Sequence, residues 1–164
     1  DGEFHPSICF QGLRLSRGNS LFYAPHNFGY MARYDVSDEG ELSKVWERWY
    51  SEPSVSVDNN NLKFEADNPQ GFYGLAVGEK YIFAAYSGVP AGDMYKEKSA
   101  YALNPKSLYV LDLEGKPLAK FSVDKRISAM CLDEKEEYLY VKHIDPDLSL
   151  WRYDVSEMLQ HIKE

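Results

Sequence analysis

Gly71-Phe72-Tyr73-Gly74-Leu75-Ala76-Val77, Tyr81-Ile82-Phe83-Ala84-Ala85-Tyr86, Ser107-Leu108-Tyr109-Val110-Leu111-Asp112-Leu113 and Leu118-Ala119-Lys120-Phe121-Ser122-Val123 succeed one another through the middle of the chain. Each run is rich in aromatic, β-branched and aliphatic residues and is punctuated by Gly, Asp, Asn or Pro, the pattern of a strand ending in a turn. Together they define one unit of four strands. Working back from it, Gly12-Leu13-Arg14-Leu15 and residues 20–24, 30–36 and 42–49 repeat the scheme. Working forward, residues 127–132, 138–142 and 150–155 give its first three strands, and no fourth follows.

The copies share more than rhythm. Tyr34-Asp35-Val36-Ser37 and Tyr153-Asp154-Val155-Ser156 are identical and stand at the same step of their units, with Val110-Leu111-Asp112-Leu113 as their middle relative. Four short antiparallel strands per repeat, recurring every 55 to 60 residues or so, describe propeller blades with long loops. A β-sandwich also has many short strands, but it gives no reason for a four-strand repeat. The expected fold is therefore all-β, a β-propeller fragment of about three four-stranded blades, the last lacking its outer strand. The blades fall at about 8–50, 71–124 and 127–156. A short C-terminal helix is expected at about 155–163, where Val155, Leu159 and Ile162 form one apolar stripe that docks it on a sheet.

With 44% hydrophobic and 15% aromatic residues among 164, the chain has ample material for a core. Its 26 Asp and Glu against 18 Lys and Arg leave a net charge of −8, which repels phosphate backbones and argues against nucleic acid as a partner. No run approaches the roughly 18 apolar residues of a membrane span. The start, Asp1-Gly2-Glu3-Phe4-His5-Pro6, has neither Met nor the regions of a signal peptide, so processing upstream is expected. Cys9 and Cys131 are too few for a disulfide framework, stand in first strands of non-adjacent units, and are expected to be unbonded, buried thiols.

The second and third units carry a family resemblance. Tyr81 to Gly88, the stretch from Leu108 to Gly115-Lys116-Pro117, and Tyr138-Leu139-Tyr140-Val141 ahead of Leu150-Trp151-Arg152-Tyr153 resemble the C-terminal blades of the TolB-like six-bladed β-propeller family, found among exported proteins and lipoproteins of gut anaerobes. The likeness runs over about residues 70–156 and more loosely over the first unit. It implies six blades and an exported, periplasmic or cell-surface location. It supplies no binding residues.

In a propeller, the loops between second and third strands and the links from one blade to the next share a face. The two longest irregular segments, 51–70 and 87–106, are of these two kinds and are expected to meet there as binding elements. Candidate ligand-binding residues are His26 and Asn27 from the first unit, Asp67 and Asn68 from the first long segment, Asp93 and Tyr95 from the second, and Asp145 and Asp147 from the third unit. Asn, Asp and Tyr suit a polar ligand or a sugar ring, and they are equally ordinary turn residues. Asp58-Asn59-Asn60-Asn61 lacks the spacing of a calcium loop, so no metal and no cofactor is expected. His143 alternates with Val141 and reads as structural. Residues 133–137 read as a solvated charge cluster on the opposite face, and Trp46, Trp49 and Tyr50 as blade-to-blade packing.

Catalytic motifs are absent: there is no His-Glu-x-x-His, no Gly-x-Ser-x-Gly and no phosphate loop. The leading reading is a non-catalytic propeller module that binds a glycan, other polar ligand or protein through its long-loop face. An alternative is a glycan-processing hydrolase with Asp67 and Asp93 as acid and base. A further one is a structural half without a separate function. The strand count calls for a partner, either a missing N-terminal propeller half or a second copy.

Overall fold

Alternating side chains become strands wherever a face can be buried, and this happens thirteen times among the described residues. The structure, a computed structural model, describes residues 11–58, 61–93, 96, 102–144, 147–160 and 162. The first sheet holds β1 (Gly12–Arg17), β2 (Ser20–Pro25), β3 (Tyr30–Val36) and β4 (Leu42–Trp49). A hairpin of β5 (Val55–Asp58) and β6 (Asn61–Phe64) follows. The second sheet holds β7 (Phe72–Val77), β8 (Tyr81–Tyr86), β9 (Ser107–Asp112) and β10 (Pro117–Ser122). The third holds β11 (Ile127–Leu132), β12 (Tyr138–His143) and β13 (Ser149–Asp154), with α1 (Val155–Leu159) behind it. Each sheet is antiparallel and keeps chain order, with four, four and three strands in the three large ones. The three units of the sequence appear as these three sheets, and among the described residues the last has no outer strand, as expected. The hairpin was not anticipated, because residues 51–70 had been expected to be irregular throughout.

β7 lies between β1 and β11, so first strands pack side by side and the sheets fan outward from them as blades. Two cores fill the seams. Phe22, Met31, Phe72, Ile82, Ala84 and Leu111 join the first two blades. Phe83, Ala85, Leu108, Val110, Leu139 and Val141 join the second to the third. β8 sends Ile82 and Ala84 into one seam and Phe83 and Ala85 into the other. That is why its sequence is continuously apolar rather than alternating. At the rim of the first seam, Trp46 Nε1 donates to the Leu113 carbonyl at 2.8 Å, Arg48 Nε to Glu114 at 2.5 Å and the Tyr50 hydroxyl to Gly115 at 2.6 Å. Trp46 and Tyr50 thus serve blade-to-blade packing, as expected, whereas Trp49 does not: it packs on Phe28 and Tyr30 of its own blade and is largely exposed.

The connections after β2, β4, β8, β10 and β12 leave from one face, and short turns occupy the other. Glu136 corrects the reading of residues 133–137 as merely solvated. Held at φ +59°, it accepts from the Glu79 backbone N–H at 2.8 Å and pairs with Arg17, which also donates to the Val77 carbonyl. One carboxylate therefore ties the short turns of all three blades. Glu136→Ala is expected to cost about 1–2 kcal/mol in urea unfolding, mostly through the lost hydrogen bonds, because a half-exposed ion pair adds little. A change too small to resolve would show that water replaces the latch.

Asp154 ends β13 and caps α1, accepting from the backbone N–H groups of Ser156 at 2.8 Å and Glu157 at 3.2 Å. Val155 and Met158 are buried in the second seam, with Leu159 and Ile162 beside them. The α-helix itself covers only the first part of the stretch expected to be helical. Cys131 is free and exposed, not buried, because it points to the face of the third sheet that has no neighbouring blade. Cys9 lies outside the described residues.

His143 is buried in the third blade. Its Nδ1 donates to the Lys125 carbonyl at 3.2 Å, and its Nε2 lies 3.2 Å from the Tyr153 hydroxyl, from which the neutral ring can accept. Burial accordingly lowers its pKa below the ordinary imidazole value. As pH falls below about 6.5, the unfolded chain takes up a proton that the native His143 resists, so stability is lost. The unfolding free-energy difference between the wild type and His143→Gln should narrow as pH drops from about 7.5 to 5. A constant difference would contradict a depressed pKa.

Candidate functional site

The long connections are hydrogen-bonded to each other. Pro69 bridges Pro90, Gln70 N–H donates to the Val89 carbonyl, Gly88 to Gln70 and Ala91 to Asn68, each at 2.9 Å, and Gly92 to Ala66 at 2.7 Å. The expectation that 51–70 and 87–106 meet on one face is met by this ladder. Asn68 sits within it, fully buried, its Oδ1 accepting from Ser54 N–H at 3.0 Å and its Nδ2 donating to the Asn27 carbonyl at 2.6 Å. Both ends of that amide are committed to backbone, so Asn68 anchors the face. Asp93 is paired with Lys96 at 2.5 Å, and Asp67 and Asp147 are exposed. Tyr95 and Asp145 lie outside the described residues.

His26 is the sequence candidate with unused chemistry. It follows β2, where its backbone is clamped between Gln11 and Gly71. Its Nδ1 lies 2.5 Å from the Phe72 carbonyl and must donate to it, so the neutral ring presents Nε2 as an acceptor with no partner among the described residues. Beside it lies Tyr73, with ring centroids 5.4 Å apart. Tyr73 occupies a bulge in β7, where the register passes from Phe72–Tyr86 to Gly74–Ala85 and leaves it without a cross-strand partner. β11 has a bulge at the same step, at Ser128. The Tyr73 hydroxyl reaches Gln70 Oε1 at 3.5 Å, and burial pushes its pKa up to about 12, so it remains a neutral donor and acceptor. Gln70 is 5% exposed, and its Nε2 donors have no partner among the described residues.

An acceptor, an amide donor and a partly exposed ring therefore meet where the first two blades' inner strands reach the long-loop face. The set includes no carboxylate, lysine or arginine side chain. It can hydrogen-bond and stack, and it includes no carboxylate pair. Sequence reading found His26 but passed over Gln70 and Tyr73, whose grouping depends on a bulge visible only once strands are paired. The five best-formed cavities among the described residues are lined by neither Asp67 nor Asp93. No group of His, Cys, Asp and Glu among the described residues is placed to hold a metal. No helix among them is long and apolar enough to cross a membrane.

Residues 20–135 match the model of the TolB-like 6-blade propeller-like family. The chain belongs to this family. Its three blades are half the number in the family's description. Hydrazine synthase from Kuenenia stuttgartiensis is similar in structure, with a TM-score of 0.52 and 12% identity over 86% of this chain and 31% of that one. The Pan2 WD40 domain of Neurospora crassa aligns at a TM-score of 0.34 and 10% identity, covering 90% of this chain and 52% of that one. BamB from Moraxella catarrhalis aligns at 0.38 and 10%, covering 88% and 43%. The TolB-like chain thus spans from about a third to about half of each of these proteins. No curated protein matches it in sequence.

Proposed function

We propose that this TolB-like chain is a non-catalytic binding module that takes an uncharged polar ligand, such as a glycan, at the His26–Gln70–Tyr73 cluster of its long-loop face. The observation that carries this reading is the pair of unpartnered functions, His26 Nε2 and Gln70 Nε2, beside a bulged aromatic ring on a hydrogen-bonded frame. A donor, an acceptor and a ring face suit a hydroxyl-bearing ring. Glycan-array screening of the chain, with titration of any hit against His26→Ala and Tyr73→Ala, tests it. Binding lost in both variants, with unchanged circular dichroism, supports the site. A hit unaffected by either moves binding elsewhere, and clean negatives on glycans and in protein pull-downs sink the reading.

The hydrolase reading has less support, since Asp93 is paired with Lys96 and Asp67 is exposed. Completion of the ring, by blades upstream in the same protein or by a second copy, is supported by where exposed apolar residues fall. Leu42, Trp49, Val55 and Val57 lie at the first-blade end of the arc, and Leu148 and Leu150 at the third-blade end. An exported location is part of the proposal and is tested by cell fractionation.

A further inference from the structure

The two seams follow one plan but end differently on the short-turn face. Phe22 pairs with Arg33 and Ser20 with Asp35 in the first blade, as Phe83 pairs with Val110 and Tyr81 with Asp112 in the second. Arg33 and Ser20 therefore hold the places of Val110, which is fully buried, and of Tyr81, which packs on the core of the second seam. Leu113 follows Asp112 as Val155 follows Asp154. Val155 leads into α1, and together with Leu159 of that helix it lines the end of the second seam, where a cavity of only about 210 Å³ remains. Leu113 leads instead into a turn, with Gly115 at φ +74°, and no helix follows. The first seam is left with an open cleft of about 640 Å³, whose walls include Arg17, Ser20, Phe22, Arg33, Glu79 and Leu113.

Two guanidinium groups face this cleft. Arg33 Nε donates to Ser20 Oγ at 3.1 Å and Nη2 to Asp35 Oδ1 at 3.3 Å, and the group stands 5.9 Å over the Phe22 ring. These contacts fix its plane, and its Nη1 has no partner among the described residues. The Asp35 side chain is 54% exposed, so it stays hydrated and offsets the Arg33 charge weakly. On the facing wall, Arg17 is held by Glu136 and the Val77 carbonyl. Glu79 reaches Arg17 only at 3.7 Å and is 77% exposed, so an entering anion displaces it at little cost. Phe22, Val77 and Leu113 add apolar surface between the two charges. Val110 shows that an apolar side chain fits the strand pairing at Arg33's step, so packing alone does not call for a guanidinium there.

We propose that this cleft is a second binding site, which takes a small organic carboxylate. The carboxylate accepts from Arg33 Nη1, with Arg17 as the second positive charge, and the apolar body of the ligand lies on Phe22 and Leu113. A charge-assisted hydrogen bond from a fixed guanidinium orients the ligand, and the cleft is of the size that small-molecule sites have. Asp35, Glu79 and Glu136 stand close behind the two arginines and disfavour a doubly charged phosphate, which selects the singly charged group. The cleft lies on the face opposite the His26–Gln70–Tyr73 cluster and shares no residue with it, so the two sites stand or fall separately.

The test titrates the full chain, at about 50 mM salt to limit screening, with 3-phenylpropionate and follows the backbone amides by NMR. The neutral 3-phenylpropanamide and the cationic 3-phenylpropylamine serve as comparisons of nearly the same shape. The carboxylate is expected to bind with a Kd of about 1 mM or below and at least about tenfold more tightly than either comparison, with shifts gathered at Ser20, Arg33, Gly78 and Leu113. Arg33→Gln should lower its affinity to that of the amide and leave the amide's own affinity unchanged. Arg33→Val with Ser20→Tyr, which gives the first seam the residues of the second, should abolish binding while urea unfolding stays cooperative, so the proposal remains testable if Arg33→Gln unfolds. No saturable shift below about 10 mM overturns the proposal, and so does equal affinity for the carboxylate and either comparison. A carboxylate preference that survives the substitutions at Arg33, or shifts confined to the long-loop face, overturns it as well.

Discussion

Phe72→Ala is expected to lower the unfolding free energy by about 3–5 kcal/mol, the range for truncating a fully buried phenylalanine. Phe72 is 1% exposed and stands in the seam between the first two blades, its ring 5.4 Å from that of Tyr50 and 5.2 Å from that of Tyr86. Tyr50 is held by the Gly115 carbonyl and Tyr86 stands on β8, so neither can swing inward to fill the hole without breaking other contacts. Poor relaxation places the cost toward the upper end. Urea unfolding monitored by tyrosine and tryptophan fluorescence measures it. A loss under about 1 kcal/mol would mean that the seam repacks freely and is no rigid core.

The second large effect is at a glycine. A Cβ on Gly71 would stand 2.2 Å from both the Pro25 and the Phe28 carbonyl oxygens, which are backbone atoms of the first blade's turn after β2. Gly71 also donates its N–H to His26 and accepts from Ser87, so the strand start cannot retreat. Gly71→Ala should cost about 3 kcal/mol or more, since no side chain can yield to the new methyl. Gly40 is the matched comparison. Its φ of +83° disfavours alanine, but nothing lies within 4 Å, so Gly40→Ala should cost only about 1 kcal/mol. A loss at Gly71 no larger than that at Gly40 would show that the two blades move apart to admit the methyl, so that their close approach is no rigid constraint. Because Gly71 joins the turn carrying His26 to the strand carrying Tyr73, the same substitution should also weaken any ligand bound at the long-loop face.

The blades were legible in the sequence because their signals are local. Alternation, turn residues and the repeated Tyr-Asp-Val-Ser each lie within a few residues, and the strands fall where those signals put them. The repeated tetrapeptide also shows how neighbours set the outcome. After Ser37 come Asp38, Glu39 and Gly40, and the left-handed glycine turns the chain back, with Gly40 N–H donating to the Ser37 carbonyl at 2.9 Å. After Ser156 come Glu157, Met158 and Leu159, good helix formers with no glycine among them, and Asp154 becomes a helix cap instead. The hairpin of β5 and β6 also had a readable signal, the alternating Val55, Val57, Leu62 and Phe64 around an aspartate and three asparagines, which a reading of 51–70 as one loop overlooked.

Much of the candidate site was not legible. Tyr73 gains its position from a one-residue bulge that no periodicity reports, and Gln70 lies near the Tyr73 hydroxyl only because the long connections pair. Asn68 looked the same as Asp67 in sequence, yet one is fully buried and the other exposed. The fate of Glu136 was hidden for the same reason. Its partners, Arg17 and Glu79, belong to other blades, and nothing local distinguishes it from Glu134 or Glu137.

The Glu136 latch bears on how the chain assembles. Each sheet pairs strands adjacent in sequence, so a blade can form from contacts that close only short loops, a topology that favours fast folding. The latch instead joins the end of the first strand to the first turn of the third blade, and it can engage only when all three blades are in place. It should therefore be unformed in the transition state and have a φ-value near zero. Removing it would leave the refolding rate almost unchanged and raise the unfolding rate, so this carboxylate governs how long the assembled arc persists and not how quickly it appears.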